Sequence, residues 1–399
     1  GLSVGMLALD IDDFKHVNDS LGHQAGDQLL ILFVSRIKEC LRVNDGFARL
    51  GGDEFAITLA DIHSIEEVNM VASRILERIN EHFIIDGKRF HCTISIGAAV
   101  YPNDAKNREE LIKCADIAMY RAKQNGKNTL RFYESRYQKE FNRSFEIQNA
   151  MSDILEESSF RLFYQPIYST SQESISGVEA LIRWPDTQIF YTPDEFIPIA
   201  EKTRLIHGIG KWVINTALKT LSHWQKHYDP NLTMAINISA VQLEDPDLVA
   251  FLMDITKKHQ VLPETIIIEI TETAFLGNSA STLEMLNNLC ANKFKIALDD
   301  FGMGYSSISH LSTYPIDIVK LDKSLQPTNG RIKKNKDVLE PLAIMLKLLD
   351  FVIVAEGIET EAQLALCHQL KVDKVQGYLL GRPSPASEIE DILKKSNGA

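Results

Sequence analysis

The sequence predicts an α+β domain followed by a parallel β/α barrel, and three observations carry that reading. Strand-like apolar runs in the second half carry polar groups at their ends: VEALIRW with Glu179, MAINIS with Asn237, TIIIEITE with Glu269 and Glu272, KIALDDFG with Asp299 and Asp300, DIVKLD with Lys320 and Asp322, and FVIVAEG with Glu356. From Phe160 onward, strand and helix patterns alternate, which argues for a barrel. The first half mixes strands and helices around a hairpin, as in an α+β sandwich. A strand that is apolar on both faces should not carry carboxylates unless something at its end needs them. Those ends meet only in a closed fold, and a parallel barrel places its functional residues at the C-terminal ends of its strands. Carboxylates, an amide and a lysine on one face make an oxygen site for hard cations with an ammonium beside it. That composition is expected for two-metal hydrolysis of a phosphate ester.

Each element has a local signature. SVGMLALDI is a strand, and QAGDQLLILFVSRIKECL has helical spacing of apolar residues. FARLGGDEFAITLA reads as two strands around a tight turn at Gly51 and Gly52. Ser64 with Glu67 predicts a capping-box start for a helix through Ile79. FHCTISIGAAVY predicts one more strand, and EELIKCADIAMYRAKQNG a helix that stops at Gly126. The polar stretch 134–157 reads as a linker helix, which sets domains at 1–133 and 158–399. In the second domain FRLFYQPIY is a strand, PDEFIPIAEKTRL and GKWVINTALKTLSHW are helices, and KVDKVQGYLLGRP is the last strand.

Composition bounds the function. The net charge of −12 over 399 residues disfavours binding to a nucleic-acid polymer, which needs a basic face. A small phosphorylated ligand is still allowed. The 5 cysteines are irregularly spaced with no CxxC, so neither a disulfide framework nor a zinc site is suggested, and a reduced cytosol is the simple reading. Stretches such as LLILFV are too short to span a bilayer, and no signal peptide is visible. The chain opens almost directly on a strand, which leaves room for an upstream sensory or membrane region.

The first half resembles the GGDEF family of diguanylate cyclases, through DIDDFKHVND at Asp10 to Asp19, GHQAGD ending at Asp27, RLGGDEF at Arg49 to Phe55 and ADIAMYRAKQNGKN at Ala115 to Asn128. The second half resembles the EAL family of cyclic di-GMP phosphodiesterases, through YQPI, EALIRW, INIS, EITE, DDFGMGYSS, KLD, AEGIE and QGY. The resemblance implies an antiparallel sheet flanked by helices, a nucleotide-cyclase-like palm, followed by a TIM-like (β/α)8 barrel.

In the first half it implies Mg²⁺ with GTP, held by Asp10, the Ile11 carbonyl and Asp53, with Glu54 beside them. Asp53 would also help deprotonate the attacking ribose hydroxyl. Asn18 and Asp27 match guanine-reading positions, and an amide plus a carboxylate suits a base edge with both acceptors and donors. Phe14, Lys15, Lys123 and Lys127 match substrate positions, the lysines as phosphate contacts. At Lys127 the family more often has arginine, so bidentate geometry is lost. Arg42 and Asp45 form RxxD at the spacing of the family's product-binding inhibitory site.

In the second half it implies two Mg²⁺ or Mn²⁺ ions. Glu179, Asn237, Glu269 and Asp299 would hold one, and Asp299, Asp300 and Glu356 the other. Such ions polarise phosphoryl oxygens and acidify a trapped water. Lys320 would orient that water or help take its proton, Asp322 would tune Lys320, and Gln376 would help complete the site. Glu272 matches a residue that anchors the loop after Asp300, and Gln165 and Arg183 match positions facing substrate. Met303 departs from the family, which has a small or hydroxylated residue in the loop coupling dimerisation to the metal site.

Taken singly, a Lys–Asp pair is usually a surface ion pair, and GGDE is an ordinary hairpin turn. Together with their flanks they point to cyclic di-GMP turnover, with cyclic di-GMP, GTP and pGpG as ligands and a homodimer as the assembly. Three readings follow: a bifunctional enzyme, a phosphodiesterase whose GGDEF half binds GTP as a regulator, and a non-catalytic receptor. Receptor versions usually lose metal ligands, and none of the matching positions is lost here.

Overall fold

The opening apolar run forms β1 (Ser3–Ile11), buried from Gly5 onward because both its faces are covered. It is followed by β2 (Gly46–Gly51), β3 (Glu54–Ile62), β4 (Phe83–Ile85), β5 (Lys88–Phe90), β6 (Ile94–Tyr101) and β7 (Leu130–Phe132). Five of these strands make a sheet of order β2-β3-β1-β6-β7, and β4 and β5 form a separate hairpin. This computed structural model describes residues 3–85, 87–172, 174–185, 190–275, 279–302, 311, 313–326 and 332–397.

Period-two alternation divides β1 between two cores. Leu7, Leu9 and Ile11 pack with Phe33, Ile37, Val71 and Ile75, from the helices His23–Glu39 and Ile65–Asn80. Met6 and Ala8 face Leu111, Cys114, Ala115 and Met119 of the helix Arg108–Gln124. The small residues on this second face let that helix approach closely. At Gly97, a Cβ would sit 2.0 Å from the Met119 nitrogen and 2.1 Å from the Ala115 carbonyl oxygen, so only glycine fits. The close approach brings the last turn of the helix over the end of β1.

Three local expectations change. The sheet is antiparallel except for β6 and β7, because the helix Arg108–Gln124 connects them and a crossover makes neighbours parallel. The run FHCTISIGAAVY is split: Phe90 ends β5, and β6 begins at Ile94. Ser64 takes the N-cap position of Ile65–Asn80, but its hydroxyl makes no capping bond. It engages Glu66 instead, whose carboxyl that bond holds below its ordinary pKa.

In the second half, β8 (Arg161–Ser169), β9 (Ile175–Arg183), β10 (Thr233–Asn237), β11 (Ile266–Thr271), β12 (Lys295–Phe301), β13 (Ile318–Leu321), β14 (Val352–Ala355) and β15 (Lys374–Val375) close into a barrel. The barrel is not wholly parallel: β8 runs antiparallel to both β9 and β15. No helix separates β8 from β9, and a short connection can join only antiparallel strands. The predicted last strand shrinks to Lys374–Val375. Between β9 and β10 lie the helices Pro193–Lys202, which opens with a Thr192–Glu195 capping box, and Ile206–His227.

The polar stretch forms the helix Ser135–Glu156. The chain divides within it into units Gly1–Glu146 and Ile147–Ala399. All the cysteines are free. Among the described residues, no helix is long and apolar enough to cross a membrane.

Candidate active sites

At the C-terminal mouth of the barrel, parallel pairing sets the strand ends side by side. Asn237 is in register with Glu269, and Thr271 with Asp299. Lys320 projects inward from β13 and is 1 % exposed. Its ammonium lies 2.8 Å from Glu356 Oε1, 2.9 Å from Glu269 Oε2, 3.3 Å from Asp299 Oδ1 and 3.7 Å from Glu179 Oε2. Asp299, Asp300 and Glu356 each offer an oxygen within 4.8 Å of the others, a group that could hold a metal ion. Asp300 adopts a left-handed φ of 56°, which is uncommon outside glycine and turns its side chain at the strand end.

A chain of amides orients the acids. Glu179 accepts from Asn237 Nδ2 at 2.8 Å and from Gln376 Nε2 at 2.7 Å. Gln376 also donates to Gln165 Oε1 at 3.1 Å, and Gln165 donates to the Gly381 carbonyl. The Gln376 Oε1 is buried and has no donor among the described residues, so it adds another oxygen to a mouth already rich in acceptors. Asp322 accepts from the Ser324 amide at 2.7 Å and thereby holds the chain after β13.

Burial and charge oppose one another here. Burial alone would raise the Glu179 carboxyl, but Lys320 and the bonds from Gln376 and Asn237 hold it below its usual range. Burial pushes Glu269 well above that range despite Lys320, and the neighbouring carboxylates add to the effect. Burial, only partly offset by Lys320, lifts Glu356 to about 7. Burial and Asp299 raise Asp300. Burial disfavours charge on Lys320, yet the surrounding carboxylates outweigh it and keep the ammonium protonated well past its normal pKa.

The first unit has a smaller acidic site. Asp10 shares the face of Met6 and Ala8, beneath the last turn of the helix Arg108–Gln124. Lys123 there meets Asp10 Oδ2 at 2.6 Å. Asp10 pairs in register with Glu54, and the Asp53 carbonyl on the hairpin turn accepts from the Ile11 amide at 3.3 Å. Burial, reinforced by Asp53 and Glu54 and opposed by Lys123, raises Asp10 to about 6. Lys127 Nζ lies 2.6 Å from Asp13. The Asn18 amide oxygen packs over Gly26, where a Cβ would lie 1.9 Å from it. Lys15 and Asp27 are exposed. Phe14 sends its ring into the core, so what it offers a ligand is main chain. Arg42 and Asp45 close a turn, with the Arg42 amide donating to Asp45 Oδ2 at 2.8 Å. They line a cleft of about 410 Å³ with Asp61 and His63.

Family comparison matches residues 146–383 to the EAL domain and residues 1–129 to the diguanylate cyclase, GGDEF domain. The chain belongs to the tandem GGDEF–EAL proteins. It is 36% identical over 389 residues to signaling protein YkoW of Bacillus subtilis, covering 96% of this chain and 48% of that protein. It is 35% identical over 385 residues to the bifunctional diguanylate cyclase/cyclic di-GMP phosphodiesterase MucR of Pseudomonas aeruginosa, covering 96% and 56%. The chain thus spans about half the length of the curated relatives it matches. The solved structure "PaMucR Phosphodiesterase, c-di-GMP complex" superimposes with a TM-score of 0.58 at 33% identity, over 61% of this chain and 99% of that one.

In this GGDEF–EAL protein the barrel mouth therefore brings together Glu179, Asn237, Glu269, Asp299, Asp300, Lys320, Glu356, Gln165 and Gln376. Arg183 ends β9, with its guanidinium 5.6 Å from the Phe163 ring. Glu272 opens the turn Glu272–Phe275 after β11. The segment 303–310 that it is expected to anchor, Met303 included, lies outside the described residues.

Sequence reasoning missed Asp12 in the GGDEF half. Its carboxylate accepts from Thr93 Oγ1, Ser95 Oγ and the Asn128 amide at 2.7, 2.7 and 3.1 Å. It thereby ties the end of β1 to β6 and to the turn before β7, and so fixes Asp10. The alternation of Thr93 and Ser95 was the available signal. The Gly381 carbonyl that orients Gln165 left no signal, because a main-chain oxygen carries no residue type.

Proposed function

We propose that the EAL barrel hydrolyses cyclic di-GMP to pGpG, and that the GGDEF half condenses two GTP into cyclic di-GMP when two copies meet. The observation that supports the hydrolytic reading is the buried Lys320 ammonium among carboxylates contributed by Glu179, Glu269, Asp299 and Glu356. A divalent metal fits the donor set. Its ligand atoms are oxygens, it includes the cluster Asp299, Asp300 and Glu356, and it is flanked by Gln376 Oε1, which has no donor among the described residues. Glu179, Asn237, Glu269 and Asp299 would hold one ion, and Asp299, Asp300 and Glu356 the other. Bound there, such ions supply Lewis-acid polarisation of the phosphoryl oxygen and acidify the attacking water.

The chain's own residues do the rest. Gln376 and Asn237 fix the Glu179 rotamer. Gln165, buried at the mouth and held in the same amide chain, and Arg183 at the end of β9 orient the dinucleotide. Arginine suits phosphate because its fork of donors matches two oxygens. While carboxylate charge surrounds it, Lys320 is an acid and holds the reacting water by donation. When that charge is neutralised, the cause of its raised pKa is gone, and it can exchange a proton with the water.

In the GGDEF half, Asp10, Asp53 and the Ile11 carbonyl would meet the metal of a GTP, with Lys123 and Lys127 released from Asp10 and Asp13 to the phosphates. One unit carries one such site, so condensation of two GTP needs two copies facing each other. Arg42 and Asp45 would bind product in their cleft. The exposed apolar residues Ile344 and Leu348, four apart on the helix Ile332–Leu348, suit a homodimer through the barrel half. Nucleotide ligands and free cysteines suit the cytoplasm.

The test is to follow GTP and cyclic di-GMP separately on one sample with Mg²⁺ or Mn²⁺. Hydrolysis is expected to exceed synthesis, because the barrel mouth is complete within one chain and the cyclase site is not. Conversion of GTP while labelled cyclic di-GMP stays intact would reverse this assignment.

The protonation of the mouth gives a second expected result. Glu356, with a pKa of about 7, holds a proton that cations must displace over part of the neutral range, and burial shifts Glu269 and Asp300 in the same direction. Affinity for Mg²⁺ should therefore fall as pH drops through about 7, and binding should release protons. Calorimetry in buffers of different ionisation enthalpy reads that release. A pH-independent affinity between pH 6 and 8, roughly the window of a pKa near 7, would contradict it.

A further inference from the structure

We propose that Arg121 is a positioning residue of the GTP site, stapling the turn that bears Lys123 to the helix Ser135–Glu156. The proposal rests on the reading above that Lys123 meets the phosphates of GTP. Lys123 lies in the last turn of the helix Arg108–Gln124, where its ammonium meets Asp10 Oδ2 at 2.6 Å. The carbonyls of a last helical turn have no partners within the helix, and helix ends fray. A phosphate contact placed there needs support from outside its own helix.

The main chain supplies part of that support. The Asn125 amide donates to the Arg121 carbonyl at 3.1 Å, and the Lys127 amide to the Ala122 carbonyl at 3.2 Å. The Arg121 side chain supplies the rest. Its Nη1 donates to Gln124 Oε1 at 2.7 Å, within the same turn. Its Nη2 pairs with Glu140 of the helix Ser135–Glu156. One planar guanidinium thus ties both helices, because its donors form a rigid fork. Its central carbon also lies 5.3 Å from the Tyr137 ring centroid, within cation–π range. Next to this pair in sequence, Tyr120 meets Phe141 edge to face, with centroids 5.6 Å apart and planes at 89°, an arrangement that aromatic pairs prefer. All these residues belong to the first unit.

Residues two apart on a helix point about 200° apart. Lys123 therefore holds the turn from the sheet side, through Asp10, while Arg121 holds it from the opposite side, through Glu140. When GTP draws Lys123 off Asp10, the inner side-chain attachment is lost and the outer one remains. The staple thus matters most in the nucleotide-bound state, where it keeps the ammonium at the height of the phosphates. The side chains of Arg121 and Glu140 are 26% and 46% exposed, so replacing either opens no hole in the core. An ion pair this open adds little to stability, so its loss should be read in GTP binding and not in melting.

The test measures equilibrium GTP binding in Mg²⁺ for the unaltered chain, Arg121→Met, Glu140→Gln and Lys123→Ala, and for each of the first two combined with Lys123→Ala. Arg121→Met and Glu140→Gln should each weaken GTP about fivefold, within the usual range of coupling between residues that share a partner or a backbone shift. Lys123→Ala should weaken it at least as much. Combined with Lys123→Ala, neither should cost more than about a further twofold, because residues that act through one another do not add. A merely structural role would add in full. Melting without GTP, and hydrolysis of cyclic di-GMP, should be unchanged in Arg121→Met and Glu140→Gln. Should Arg121→Met unfold the first unit, Glu140→Gln, which keeps the shape of its side chain, carries the comparison. Unchanged GTP affinity in both, or equal losses with and without Lys123, would overturn the proposal while leaving the phosphate contact in place. Unchanged GTP affinity in Lys123→Ala would overturn the phosphate contact itself, and the proposal with it.

Discussion

Glu179→Ala is expected to abolish cyclic di-GMP hydrolysis, by a factor of about 10³ or more, while GTP binding is unchanged. The residue is buried at the mouth and accepts from two amides. Its loss removes one metal-facing carboxylate and leaves the Asn237 and Gln376 donors without their acceptor. An unmet buried donor costs about 1–3 kcal/mol, so Gln376 should rotate and disturb Gln165 as well. Electrostatic groups aimed at developing charge are worth about 10²–10³ each, and here the metal site fails along with them. The GGDEF half has its own cores, so GTP should bind it as before. Turnover of labelled cyclic di-GMP and equilibrium GTP binding decide the matter. Residual hydrolysis near the unaltered rate, or loss of both functions together, would show that the barrel mouth or the separation of the halves has been misread.

The second large effect is at Lys320, where Lys320→Met should slow hydrolysis by about 10²–10⁴, the range for a positioned proton-transfer group. It should also act on stability, in a way that depends on cations. The ammonium is the countercharge to Glu179, Glu269, Asp299 and Glu356. Removing one partner from a buried ionic cluster costs about 3–5 kcal/mol, so without divalent metal the variant should melt well below the unaltered chain. Added Mn²⁺ should close most of that gap, because it supplies the missing positive charge, whereas the unaltered chain should gain less. Melting curves with and without Mn²⁺ read both effects. Equal Mn²⁺ responses in the two proteins would mean that Lys320 does not share its carboxylates with a metal. Hydrolysis within threefold of the unaltered chain would remove it from the reaction.

Much of this was legible in the chain itself, for a physical reason. A buried strand must be apolar, so carboxylates at the ends of IIIEIT and KIALDDF stand out against their own run, and such a violation marks a site. The same alternation put Asp10 on the face of Met6 and Ala8. Capping was less legible. Ser64 has more than one partner within reach, and its hydroxyl chose Glu66 over the helix amides, a choice no spacing rule settles. The hairpin between β8 and β9 was missed because an apolar run shows that a strand exists and not which way it points.

What the sequence determined by itself was the inventory of the site: which strand ends carry acids, and that cyclic di-GMP chemistry belongs to the two families matched, while β4 and β7 and the short span of β15 were not legible in it. What only the tertiary structure decided was how those acids are charged and held. Lys320 has an ordinary sequence neighbourhood, and it becomes a buried cation only because β9, β11, β12 and β14 deliver carboxylates to it. The pairing of Gln165 with Gln376, and of Asp12 with Ser95 and Asn128, likewise joins residues far apart in the chain. Electrostatic energy depends on distance in space and on exclusion of water, and both are properties of the closed fold.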